Sequence, residues 1–60
     1  MNKGDIEQLI KKHEAKLKAV FESELLMKEM GNHGMAKIRQ KEQREIVAKI
    51  KKLRSSLEAL

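Results

Sequence analysis

Apolar residues recur along this chain in steps of three and four, and the rhythm is interrupted once, near the middle. Ile6, Leu9, Ile10, Leu17, Val20, Phe21 and Met27 fall on one face of a helix over about 5–30. Met35, Ile46, Ile50, Leu53, Leu57 and Leu60, with Ile38 at the edge, form the stripe of a second helix over about 35–60. Between them the stretch MGNHGMA places Gly31 and Gly34 around Asn32 and His33, which predicts a turn at 31–34. Asp5 suits the first N-cap, with Gln8 three residues on completing a capping-box pattern. Gly31 suits the left-handed position that ends a helix, and Asn32 suits the cap of the next. The Glu7–Lys11, Glu14–Lys18 and Glu45–Lys49 pairs, four residues apart, each favour the helix by a few tenths of a kcal/mol. So short a connection favours antiparallel packing, and the expected fold is all-α: a single helical-hairpin domain over 1–60.

Two stripes do not absorb all the apolar residues. Leu25, Leu26, Met30 and Val47 lie outside them, and with Met27 they form the candidate oligomer interface. The economical way to cover such residues is self-association of two hairpins into a four-helix bundle, a coiled-coil-like packing. The methionines at the turn end, Met27, Met30 and Met35, suit adaptable packing, with ordinary core filling the simpler use.

Polar residues also enter the stripes. Glu24 lies eighteen residues beyond Ile6, about five turns, so the two share an azimuth. By the same spacing Arg39 lies on the line of Leu57 and Glu42 on that of Leu60, with Gln43 alongside. An antiparallel hairpin brings Glu24 opposite residues around 41. Glu24, Arg39, Glu42 and Gln43 are therefore expected to form one polar layer near the turn. A Glu24–Arg39 ion pair is the structural form of that layer, and it would fix register and oligomer state. The functional form is a site for an anionic small ligand such as a nucleotide at a subunit boundary, with Arg39 taking the anion and Glu24 or Gln43 reading a donor on the ligand. A carboxylate metal site from Glu24, Glu42 and His33 lacks the paired Glu-x-x-His motifs of di-iron bundles, so no metal and no cofactor are expected.

Composition narrows the remaining choices. The chain has 60 residues, 38% of them charged, with no cysteine, proline, tryptophan or tyrosine, and Phe21 is its single aromatic residue. A monomer of that size is marginal without a disulfide, a metal or a second copy, and cysteine is absent. No apolar run is long enough for a membrane span or a signal peptide, which makes the cytoplasm the expected location. A formal net charge of +5 draws anionic partners. Lys37, Lys41, Arg44, Lys51 and Lys52 run along the second helix away from its stripe and form a candidate basic face. That face suits nucleic acid, yet it lacks aromatic interleaving and a helix-turn-helix, so a solubilising role is favoured. His13, between Ile10 and Leu17, reads as a packed histidine and His33 as an exposed one. No catalytic constellation is visible. The expectation is a non-enzymatic, self-associating hairpin that regulates or inhibits another macromolecule by binding it.

Overall fold

The computed structural model describes residues 2–60 and contains two helices, α1 (Lys3–Glu29) and α2 (His33–Glu58). They pack side by side into a rod of 45 × 14 × 12 Å. At about 1.5 Å per residue each helix runs close to the full length of that rod. None is long and apolar enough to cross a membrane.

The connection is tighter than the expected 31–34, because α1 ends and α2 begins within three residues. Asn32 N–H donates to Met27 C=O at 2.8 Å and Gly31 N–H donates to Lys28 C=O at 3.1 Å, the two bonds of a Schellman cap. The cap needs a left-handed residue, and Gly31 supplies it with φ of 76°. Asn32 then caps the next helix, its side-chain oxygen accepting from Met35 N–H at 3.2 Å. One residue thus closes α1 and opens α2, which leaves His33 and Gly34 inside the first turn of α2.

The other end of α1 corrects the sequence reading. Asn2, not Asp5, is the N-cap, and its Oδ1 accepts from Asp5 N–H at 2.9 Å. Asp5 becomes the acid of the first turn, where the helix dipole favours a negative charge. Gly4 does not delay the start, since a first-turn residue has no helical hydrogen bond to lose at its N–H.

Burial follows a stricter repeat than the apolar residues do. On α1 the inward line runs through Ile6, Ile10, His13, Leu17, Val20, Glu24 and Met27, with Leu9 and Ser23 half-buried beside it. On α2 it runs through Ala36, Arg39, Gln43, Ile46, Ile50, Leu53 and Leu57, with Met35, Gln40 and Glu42 half-buried beside it. Both series alternate steps of four and three, the seven-residue repeat of helices that coil around one another. Ile6, Ile10, Val20, Ile46 and Ile50 form the buried core, with Leu17, Leu53 and Leu57 packed against it. Phe21, expected in the α1 stripe, is 48% exposed because the seam steps from Val20 to Glu24 and passes it by. Leu60 is exposed for a different reason: α2 ends at Glu58. None of the three Glu–Lys pairs expected on the helix surfaces is closed, and Glu14 instead reaches across to Arg54 of α2 at 3.5 Å.

The turn makes a pair of opposite predictions. Gly31→Ala destabilises the hairpin by about 1–2 kcal/mol, the cost of a Cβ in a left-handed residue. Gly34→Ala stabilises it by about 0.4–1 kcal/mol, because a Cβ there meets only Asn32 Oδ1 at 3.9 Å. Urea or thermal unfolding followed by circular dichroism separates the two signs.

Candidate functional site

Two features of the rod carry polar or uncovered chemistry: the layer around Glu24 and the groove beside it. Glu24 occupies a seam position and is only 5% exposed, so its charge requires partners. Three donors converge on it. Gln43 Nε2 donates to Oε1 at 2.5 Å, Gln40 Nε2 donates to Oε2 at 2.8 Å, and Lys28 Nζ lies 2.7 Å from Oε2. The glutamines reach it from α2 and the lysine from one turn further along α1. Sequence register placed Glu24 opposite residues around 41, and Gln40 and Gln43 straddle that level.

The membership of the layer differs from expectation. Glu24 and Arg39 do not pair; Arg39 Nη1 donates to Glu42 Oε1 within α2. The reason is azimuthal. Gln40 and Gln43 turn to the same side of the seam, where both border the groove, whereas Glu42 lies about 100° back around α2 from Gln43. Glu24 leans to the groove side and meets the glutamines. Arg39 is left to its neighbour three residues on, with its Nε buried and without a hydrogen-bond partner. Gln40 and Lys28 are the members that sequence reasoning missed. Lys28 was signalled by its spacing of four from Glu24, and Gln40 by its spacing of three from Gln43.

Hydrogen bonds from Lys28, Gln40 and Gln43, in that order of weight, hold the Glu24 carboxyl at about 2, well below its ordinary 4.5. Burial pushes the other way and is outweighed. The carboxylate is therefore already satisfied within one chain, and nothing about it demands an outside ligand. Among the described residues no group of three or more His, Cys, Asp or Glu side chains gathers as a metal site would require. His13 is half-buried in the seam, and His33 is exposed at the start of α2.

The groove follows positions one residue beyond the seam. Glu14, Lys18 and Phe21 supply its α1 wall, and Gln40, Arg44, Val47 and Lys51 its α2 wall, enclosing about 920 Å³ of open space. Leu25 continues the α1 row toward the turn. The candidate oligomer-interface residues consequently divide. Val47 lies in the groove, together with Phe21 from the expected α1 stripe. Met30 and Ile38 each lie nine residues from one of them, about two and a half turns, and so point to the opposite flank. Leu26 joins that second flank, and Met27 is half-buried in the seam between. The candidate basic face divides as well. All five residues are exposed, but Lys37, Arg44 and Lys51 sit one step from the seam on the groove side, Lys52 on the other side, and Lys41 at the back.

The depressed Glu24 acidity sets a pH signature. A carboxyl that is more acidic folded than unfolded contributes stability that is present above about 4.5 and lost as pH falls toward about 2. The hairpin should show an acid-unfolding limb in that window, and Glu24→Gln should flatten it while leaving the slope near neutrality unchanged. An identical acid limb in the Gln variant, measured by circular dichroism against pH, contradicts the assignment.

Comparison with family models, with curated proteins and with solved structures finds no match for this chain.

Proposed function

We propose that this chain is a non-enzymatic helical hairpin that associates with itself and regulates or inhibits another macromolecule by binding it. The observation that carries this reading is the apolar surface that two helices leave uncovered. Phe21, Leu25 and Val47 on one flank, and Leu26, Met30 and Ile38 on the other, are all substantially exposed, Met30 to 69%. Patches of this kind on a short chain mark association sites.

The flank of Met30 and Ile38 suits a second copy. Further along it, one step before the seam, α2 carries Glu45 and Lys49 and α1 carries Lys12 and Lys16. Both signs are present, and a two-fold contact can set acids of one copy against bases of the other. A flank of 45 by 14 Å offers roughly 600 Å² per copy, hence about 1,200 Å² for a pair, at the lower end of specific interfaces. The product is a four-helix bundle with the groove still open on each outer side.

A second reading, binding of an anionic small ligand, is favoured by one observation: the unpartnered Arg39 Nε. It draws no support from Glu24, whose oxygens are already taken by Lys28, Gln40 and Gln43. Binding of nucleic acid through the α2 basic residues is disfavoured by their division among three sides of the helix.

Light scattering coupled to size-exclusion chromatography tests the leading reading. At micromolar concentration the chain should run at twice the single-chain mass or more. Met30→Lys with Ile38→Lys should return it to one chain, while Phe21→Lys with Val47→Lys should not. A well-folded monomer in the unsubstituted chain removes the self-association premise.

A further inference from the structure

We infer that the groove between Phe21 and Val47 is the docking site for an acidic amphipathic helix of a partner protein. The inference deepens the reading above, since it rests on the hairpin acting by binding and names the surface and the chemistry that it takes.

The geometry of the groove is that of a place for a third helix. Its walls repeat the rhythm of the seam, one residue on: Glu14, Lys18 and Phe21 on α1, and Gln40, Arg44, Val47 and Lys51 on α2, with Leu25 continuing the α1 row beyond the groove. Alternating steps of four and three present holes to the knobs of a helix laid alongside. From Gln40 to Lys51 the α2 wall runs about 16 Å, or three turns, so an incoming helix engages through positions i, i+4 and i+7. A volume of about 920 Å³ matches a compact ligand pocket in size, but it is spread along an open trough.

Floor and rim differ in character. Leu17, Phe21, Val47 and Ala48 give the trough an apolar floor. Lys18, Arg44 and Lys51 stand on its rim. The ion pairs among the described residues are Lys28–Glu24, Arg39–Glu42 and Arg54–Glu14, so none of the three rim cations has a carboxylate partner. The one acid of the groove, Glu14, is already engaged by Arg54 at 3.5 Å. The rim therefore carries three uncommitted cations beside one acid that is already paired.

Those cations select the occupant. A second copy seated here around a two-fold axis would set Lys18, Arg44 and Lys51 against their own equivalents, and like charges across an interface oppose association. Nucleic acid would satisfy the cations but not the floor, because phosphate contacts use a charged stripe and one exposed Phe offers no stacking platform. A helix with an apolar stripe flanked by Glu and Asp satisfies both at once.

The experiment uses the full chain and two labelled synthetic helical peptides with identical leucine anchors at i, i+4 and i+7. One peptide carries Glu at the flanking positions and the other Lys. Fluorescence anisotropy should show the Glu peptide binding about ten-fold tighter, the scale of three exposed ion pairs. The preference should shrink in high salt, which screens such pairs. Lys18→Glu, Arg44→Glu and Lys51→Glu together should invert it, and Phe21→Ser with Val47→Ser should weaken binding at least ten-fold with helix content retained. Equal binding of the two peptides, no binding of either, or no inversion by the triple variant overturns the inference. So does tighter binding of an RNA duplex that ignores Phe21 and Val47, or a disulfide between copies formed by Val47→Cys. Light scattering on the same samples keeps the two proposals apart. A monomer that prefers the Glu peptide overturns self-association alone, and an oligomer indifferent to both peptides overturns the groove alone.

Discussion

Two helices lying side by side can cover only one stripe on each, and nearly everything else about this protein descends from that geometric limit. A seam between two coiled helices has room for two residues in every seven. Apolar residues beyond that quota have no third layer to enter. The core is correspondingly narrow, built around Ile6, Ile10, Val20, Ile46 and Ile50, while Phe21, Leu25, Leu26, Met30, Ile38 and Val47 stay in water.

The polar layer is the second consequence of a narrow seam. Replacing one apolar seam position by Glu24 costs burial, and the chain offsets that cost with donors from both helices. What the arrangement secures is register. The bonds from Gln40 and Gln43 tie the Glu24 level of α1 to one level of α2, between those two residues. A slip of one turn toward the C-terminus of α2 would leave the carboxylate facing Ile46, so the polar layer penalises that wrong pairing more than it strengthens the right one. The cap at Gly31 and Asn32 enforces the same register from the end of the rod, since a three-residue connection leaves no slack.

Some of this was legible because it is local. Asn32 and Gly31 act through bonds to residues within five positions, and their roles follow from residue type and spacing alone. The start of α1 was misplaced for an equally local reason: Asp5 and Gln8 form a good capping pattern, and Gly4 looks like a breaker, yet Asn2 caps one turn earlier. Phe21 was misread because four positions after Leu17 keeps it near the apolar stripe of a single helix. A seam between two helices admits only two residues in seven and steps from Val20 to Glu24. Gln40 was passed over because its azimuth on an isolated α2 is far from the Ile46 line. Only the neighbouring helix brings a carboxylate to it.

The sequence by itself determined that the chain forms two helices, where they turn, and that Glu24 must find polar company near residue 41. Those outcomes depend on backbone propensity, capping and period, which are properties of one segment at a time. The tertiary structure decided which donors Glu24 meets, that Arg39 turns to Glu42 instead, and that the surplus apolar residues fall on two opposed flanks of different charge character. Each of these depends on the angle at which one helix faces the other. A coil of seven residues per two turns fixes that angle only when both helices are present.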